Sequence, residues 1–248
     1  MAILPELKSQ ILDYIKQPIP QNENMKIIER SIPVPFFGNI ETAHVATISI
    51  NPSNCEFVDE EQHLFCTPQK RFIDRDELGI NDIDLLNDVQ ANLVYESMLN
   101  YFKNKNSYKK WFDMLQKRLG SILGGSYYDG TMVNFDIYPW ATEKKWKYIS
   151  AKQKSNAMQR YTLLKDILLK KDFKYVYING ITVKDQIAEY FKGVIKEYEF
   201  SLQDGIWKIY EGKLENRTHL IGLSCYIPSR PIKKESLDYL LNELKQYM

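Results

Sequence analysis

The stretch "HVATISINPSN", residues 44–54, decides the fold class of this chain. Its first seven residues form a nearly continuous apolar run, as in a strand that is buried on both faces of a parallel sheet. The run then stops at a turn of Asn, Pro, Ser and Asn, which are residues that favour turns. Open α/β sheets bind their ligands at the carboxyl ends of such strands, so the turn marks a candidate site.

Three further segments have the same character. "GTMVNFDIYPW" (130–140), "FKYVYI" (173–178) and "HLIGLSCYIPS" (219–229) each predict a buried strand. The segments between them have helical periodicity, and strands that alternate with helices predict an α/β fold. We therefore expect three layers, α/β/α, around a central, mainly parallel four-stranded sheet.

The remaining segments complete this prediction. Residues 54–90 lack clear periodicity, which predicts a long acidic loop with short helical pieces. An edge strand or hairpin is expected over 205–212. We find no internal repeat or low-complexity segment and expect one domain over residues 1–248. Helical periodicity predicts helices over 4–17, 91–103, 107–120, 151–171, 182–193 and 236–248.

Charge and lysine placement bear on possible partners. The chain has 248 residues and a net charge of +1, so the whole molecule is not a polycation. Lysines nevertheless cluster in "KNKNSYKK" (103–110), "EKKWKY" (143–148) and "SRPIKK" (229–234). The last two clusters lie beside aromatic residues or a Pro-rich turn, as on a nucleic-acid surface. Solvated faces and loop ends give the same pattern.

Cysteine usage and apolar runs bear on location. The three cysteines show no CxxC pairing, which argues against a disulfide framework or a zinc site. The first 25 residues lack an apolar core of signal-peptide length, and no stretch approaches the roughly 20 apolar residues of a membrane span. We expect a cytoplasmic monomer without a cofactor, a bound metal or membrane contact.

"SINPSN" (49–54) resembles the first motif of the uracil-DNA glycosylase superfamily, which in several branches reads Gly-Ile-Asn-Pro-Gly or Gly-Met-Asn-Pro-Gly. Ile50, Asn51 and Pro52 match, whereas serines stand where the glycines are usual. "YIPSRP" (226–231) takes the place of the second motif, His-Pro-Ser-Pro or a relative.

Two intermediate features strengthen this resemblance. Asn134 matches the strand-terminal Asn that reads the base in the family, and "YINGITV" (177–183) matches a strand that ends in Gly before a helix. The resemblance covers roughly residues 33–240, with the motifs in the family's order. It implies a uracil-DNA glycosylase-like fold.

The resemblance also implies an activity. A monofunctional DNA glycosylase hydrolyses the N-glycosidic bond of a flipped-out base and leaves an abasic site. Asn51 would hold the attacking water, because its carbonyl oxygen can accept from the water while its amide is anchored by the turn. The alternative is an Asn that only caps the turn before Pro52.

Five residues are candidates for the base pocket. Asn134 would hydrogen-bond the edge of the base, and Asp136 lies on the same side of the strand, where it could accept from an exocyclic amine. Phe65 is nearest the family's spacing for an aromatic platform, with Phe57 as the alternative. His63 is a candidate for stabilising the departing base. The alternatives are a buried amide for Asn134, a cap or ion pair for Asp136, and core packing for the aromatic rings.

Five residues are candidates for contacting DNA. Ser53 and Ser229 would bind phosphates that flank the target, and Arg230 would fill the gap left by the flipped nucleotide. Lys233 and Lys234 would extend this contact electrostatically. An ordinary surface loop over these residues is the alternative.

The sequence also departs from the family. Ile227 occupies the position of the second-motif His, and strand alternation directs Tyr226 to the opposite face unless the turn twists. The long acidic loop over 54–90 could shape a larger or more polar base pocket, and together with Asp136 and the lost His it favours a damaged or modified base over uracil. One concrete substrate is a hypermodified cytosine of phage DNA, which would make this an antiviral defence enzyme. The alternative is a non-catalytic module on the same fold that binds nucleic acid or a nucleotide.

Overall fold

Four parallel strands form the centre of the protein: β2 (Val45–Ser49), β3 (Met132–Asp136), β4 (Tyr175–Asn179) and β7 (His219–Leu223). Three antiparallel strands flank them: β1 (Phe36–Phe37), β5 (Lys196–Leu202) and β6 (Gly205–Lys213). The sheet order is β1-β3-β2-β4-β7-β6-β5. The computed structural model describes residues 4–21, 25–227 and 232–248.

The prediction of a mainly parallel four-stranded sheet is wrong, because the sheet is mixed and has seven strands. The four predicted strands are its parallel core. β5 escapes a search for buried runs because only alternate residues, such as Tyr198 and Phe200, turn inward. β6 agrees with the strand expected over 205–212, but it pairs with both β5 and β7, so β5 forms the edge.

The α-helices of the described residues are α1 (Pro5–Ile15), α2 (Asp88–Leu99), α3 (Lys109–Leu123), α4 (Ala151–Arg160), α5 (Leu163–Lys170), α6 (Ile181–Tyr190) and α7 (Lys234–Leu244). Within the part of the chain that the structure covers, none is long and apolar enough to cross a bilayer. The segment 54–90 contains a short 3₁₀ helix, Asn54–Glu56, before α2 begins.

The helix expected over 151–171 is interrupted at Tyr161. Its backbone is extended there, and its carbonyl oxygen accepts a hydrogen bond of 2.9 Å from the Tyr190 hydroxyl instead of joining a helical ladder. The Tyr161 ring also packs 5.0 Å from the ring of Tyr14. These tertiary contacts override local helix propensity and divide the segment into α4 and α5.

The parallel core positions the site. Every residue of β2, β3 and β4 is buried, including the polar residues at their carboxyl ends. The register places Thr47 beside Asn134 and Ser49 beside Asp136. Because buried polar groups require hydrogen-bond partners, these neighbouring side chains must satisfy one another.

Ile221 and Ile206 form a matched pair for testing the core. Ile221 in β7 is fully buried, whereas Ile206 in β6 is largely exposed. Ile221→Ala should lower the free energy of unfolding by about 2–5 kcal/mol through lost burial and a cavity. Ile206→Ala should change it by at most about 0.5 kcal/mol. Urea denaturation measures both, and equal losses would contradict this placement of β7.

Candidate functional site

A cavity of about 760 Å³ opens at the carboxyl edge of the four parallel strands. The residues that follow the ends of β2, β4 and β7 contribute to its wall, together with the last residues of β3. Residues of α3 and of the segment 142–147 close other sides. Its size lies within the range of small-ligand sites, about 300–1,000 Å³.

Asn51 lies half-buried in this wall, and the protein holds its amide nitrogen. The nitrogen donates to the carbonyl oxygen of Pro52 at 3.0 Å and lies 3.3 Å from Thr142 Oγ1 and 3.4 Å from the Trp140 carbonyl oxygen. No hydrogen bond to Asn51 Oδ1 is found among the described residues. The side-chain oxygen is therefore the end that can accept from a water or a ligand.

Asn134 lies deeper and has the opposite arrangement. Its Oδ1 accepts from Thr47 at 2.8 Å and from Ser49 at 3.0 Å, and Thr47 also bonds the hydroxyl of Tyr127 at 2.7 Å. Its Nδ2 lies 3.5 Å from Asp136 Oδ1. Because the oxygen already accepts two hydrogen bonds, Asn134 presents mainly N–H to a ligand.

Two buried carboxyl groups, Asp136 and Glu56, also line the cavity. Burial raises the pKa of Asp136 well above its usual value, the Asn134 hydrogen bond lowers it, and the charge on Glu56 raises it. Burial therefore lets Asp136 keep its proton to a higher pH than an exposed carboxyl does. A neutral carboxyl both donates and accepts a hydrogen bond.

Glu56 is the residue that sequence reasoning missed. Burial raises its pKa to about 7, against the lowering effects of the Tyr101 hydrogen bond and the Arg71 charge. The Tyr101 hydroxyl donates to Glu56 Oε2 at 2.7 Å. Ser53 and Glu56 have capping-box spacing, which is typical of a Glu that turns back onto its own helix. The sequence spacing therefore predicts a helix-capping Glu rather than the observed contact of Glu56 with Tyr101.

Tyr226 reaches the cavity because the chain turns sharply after β7. The Asn179 side chain holds both sides of the Ile227 backbone, accepting from its N–H at 2.9 Å and donating to its carbonyl oxygen at 2.8 Å. Gly180 has φ +90°, and a Cβ there would lie 3.2 Å from Tyr226 Cβ. The Asn-Gly pair at the end of β4 thus positions Tyr226.

The Tyr226 hydroxyl lies among polar groups of the site. Burial raises its pKa, and the charge on Asp136 adds to this effect. Hydrogen bonds with the Ser49 side chain and the Ile50 backbone lower it. Strand alternation does not describe this side chain, because β7 ends at Leu223 and the turn redirects the chain.

The aromatic residues chosen from the family's spacing lie elsewhere. Phe57 is buried with its ring 5.9 Å from that of Phe72, and Phe65 lies beneath the Arg71 guanidinium at 5.1 Å. Neither lines the cavity. The aromatic residues in its wall are Phe37, Tyr108, Trp111, Phe112, Trp146 and Tyr226.

The other predicted contacts are spread out. Ser53 lines the cavity and caps the 3₁₀ helix by accepting from the Cys55 N–H at 3.2 Å. His63 is exposed and pairs with Asp59 at 3.7 Å, outside the cavity wall. Lys233 and Lys234 are exposed at the start of α7 and do not line the cavity. Two predicted DNA contacts, Ser229 and Arg230, lie outside the described residues.

Comparison with protein-family models, curated proteins and solved structures finds no match for this chain. Across residues 4–21, 25–227 and 232–248, no group of three or more His, Cys, Asp or Glu side chains is arranged to hold a metal ion.

Glu56→Gln should make stability less dependent on pH. The folded pKa of about 7 exceeds the ordinary 4.5, so the proton on Glu56 stabilises the fold at low pH. This contribution is complete below about pH 4.5 and is lost as the pH rises through 7, amounting to about 3 kcal/mol by pH 8.

Urea unfolding at several pH values measures this effect. Wild-type stability should fall between about pH 4 and pH 8, and Glu56→Gln should remove much of that fall. Glu61→Gln, at an exposed position in the same loop, is the matched control and should retain the wild-type profile. Indistinguishable profiles for the two variants would contradict the burial of Glu56.

Proposed function

We propose that this chain is a DNA glycosylase that hydrolyses the N-glycosidic bond of a flipped-out base and leaves an abasic site. The convergence of Asn51, Asn134, Asp136 and Tyr226 on one cavity carries the proposal. These residues come from the ends of β2, β3 and β7, as the motif resemblance to the uracil-DNA glycosylase superfamily implies. A three-layer, glycosylase-like fold is part of the same proposal.

Asn51 positions the attacking water. Cleavage of the bond develops positive charge on the sugar and negative charge on the base, so a positioned water and donors for the base can sustain the reaction. The Asn51 oxygen accepts from this water, because the amide nitrogen is engaged by the protein. Glu56, with a pKa of about 7, is suited to receive the proton that the water releases.

Asn134 and Asp136 hold the base. The Asn134 N–H and a protonated Asp136 carboxyl, which burial favours, together offer two donors and one acceptor. This set fits cytosine, with acceptors O2 and N3 and a donating N4 amine, and it fits uracil if the acid proton moves to the other oxygen. Asp136 alone therefore does not select between the two bases.

Cavity size favours a larger substrate. A volume of about 760 Å³ leaves space beyond a single pyrimidine ring. A hypermodified cytosine of phage DNA would use this space. That substrate would make the protein a cytoplasmic antiviral defence enzyme.

Tyr226 takes the place of the missing His at the leaving base. Its hydroxyl lies near Asp136, and a hydroxyl proton rotates to suit its acceptor. Donation to the departing base would stabilise the negative charge that develops there. Ile227 cannot do this, because it is buried and only its backbone is engaged by Asn179.

The second candidate is a non-catalytic module that binds nucleic acid or a nucleotide. The apolar Ile227 in the position of the family's His favours it, since the usual charge-stabilising group is gone. Catalysis assays separate the two candidates, because the module would bind and leave every glycosidic bond intact.

Asn51→Ala should lower the rate of base release by about 10²-fold or more, since the water loses its acceptor. Alkali cleavage of labelled duplexes that carry uracil, cytosine, hydroxymethylcytosine or its glucosylated form measures the rate. DNA affinity should persist. Asn54→Ala, on the same turn, is the control and should retain activity. Full activity of Asn51→Ala would overturn this role, and tight binding without cleavage of any base would favour the module.

Tyr226→Phe should slow single-turnover base release by about 10²-fold, because it removes one donor from the developing charge. Substrate affinity should change little. The matched control is Tyr210→Phe, because the buried Tyr210 hydroxyl has no hydrogen-bond partner among the described residues. Equal rates for the two variants would exclude Tyr226 from leaving-group stabilisation.

A further inference from the structure

We infer that the segment 143–148, "EKKWKY", is the phosphate-binding wall of the site and contacts the backbone of the DNA strand beside the flipped nucleotide. The inference rests on the proposed function and names a surface that the motif resemblance does not include. Lys144, Lys145 and Lys147 are exposed and line the cavity. They place three positive charges beside the pocket that would receive the base.

These lysines remain available to a ligand. Within the described part of the chain, no carboxylate forms an ion pair with Lys144, Lys145 or Lys147, whereas Lys208 bonds two glutamates at 2.8 and 3.1 Å. The one acidic residue of the segment, Glu143, pairs with Lys26 at 3.6 Å. The segment therefore presents positive charge that phosphates can neutralise.

The segment is also held in place by a buried Trp. Trp146 lies between the lysines, and its ring packs 5.7 Å from that of Tyr138 in a small second core that includes Ile149. The Tyr148 N–H donates to the Lys145 carbonyl oxygen at 2.9 Å and closes a 3₁₀ turn. A fixed turn loses less conformational freedom on binding than a mobile loop does.

An exposed aromatic ring completes the surface. Tyr148 is 67% exposed, and Lys147 Nζ lies 4.8 Å from the centre of its ring. Aromatic rings beside a cationic groove are the usual platform for bases of a single strand. This combination favours a nucleic acid over an acidic protein surface, which needs no stacking platform.

Thr142 joins this wall to Asn51. Its hydroxyl donates to the Lys144 carbonyl oxygen at 2.8 Å and accepts from Asn51 Nδ2 at 3.3 Å. Two hydrogen bonds thus connect the backbone of the phosphate-binding wall to the amide proposed to position water. A phosphate bound at Lys144 would hold the strand in register with Asn51.

The test compares two triple variants that lose the same charge. Lys144→Gln, Lys145→Gln and Lys147→Gln remove the wall. The control variant removes three exposed charges near the opposite edge of the sheet: Lys174→Gln, Lys213→Gln and Arg217→Gln. Backbone hydrogen bonds join His44, Lys174 and His219 at that edge, and Lys213 pairs with His219. Fluorescence anisotropy with a labelled duplex of unmodified DNA, and with one of its strands, gives affinity between about 50 and 200 mM KCl.

The expected result is a change in salt dependence. Each phosphate contact contributes about 0.9 to the slope of log affinity against log salt for duplex DNA and about 0.7 for a single strand. The wall variant should therefore lower the slope by about 2 to 3. The opposite-edge variant should keep the wild-type slope.

Other results are decisive as well. Three results would overturn the inference. The wild type and the wall variant could have the same salt slope, or both triple variants could lose the same amount of slope. The wild type could also fail to bind DNA. If only the wall variant has a smaller salt slope and the wild type releases no base, the phosphate-binding wall is supported and the glycosylase activity is rejected. If the wild type releases a base and the wall variant keeps the wild-type slope, the glycosylase activity is supported and the phosphate-binding wall is rejected.

Discussion

Polar side chains at the ends of β2 and β3 are almost completely buried, so they must hydrogen-bond to one another. Thr47, Ser49, Asn134 and Asp136 are each at most 2% exposed, and the register places them side by side. An unpaired buried polar group costs about 1–3 kcal/mol, so the network has little freedom to rearrange. In this network the Asn134 oxygen accepts from the Thr47 and Ser49 hydroxyls. Asp136 lines the cavity beside the Asn134 N–H.

That constraint determines the charge of the site. Burial disfavours the charged form of Asp136 and raises its pKa well above the usual value, although the hydrogen bond from Asn134 lowers it. Burial also raises the pKa of Glu56, but the Tyr101 hydrogen bond and the Arg71 charge lower it, which leaves it at about 7. The cavity thus combines Asp136, whose pKa is raised well above its usual value, with Glu56, whose pKa is about 7, and such environments can suit different chemical roles.

The sequence predicts what local patterns encode. Four runs of apolar residues correctly identify the parallel core, and the polar turn after β2 identifies the edge of the sheet where the cavity lies. Local patterns do not reveal Glu56 or Tyr226, because one is turned inward by Tyr101 and the other by Asn179. The break at Tyr161 likewise depends on contacts with Tyr14 and Tyr190, which are distant in sequence.

The orientation of Asn51 follows from the acceptors around it. A flipped amide would place its oxygen about where the nitrogen now lies, 3.0 Å from the Pro52 carbonyl oxygen and 3.4 Å from that of Trp140. Two carbonyl oxygens repel a third, so the nitrogen must face them. The Thr142 hydroxyl gives its proton to the Lys144 carbonyl oxygen and can only accept from Asn51. Backbone carbonyl oxygens thus fix the direction of both donors, the Asn51 amide and the Thr142 hydroxyl. The Asn51 side-chain oxygen therefore remains available to accept a hydrogen bond in the cavity.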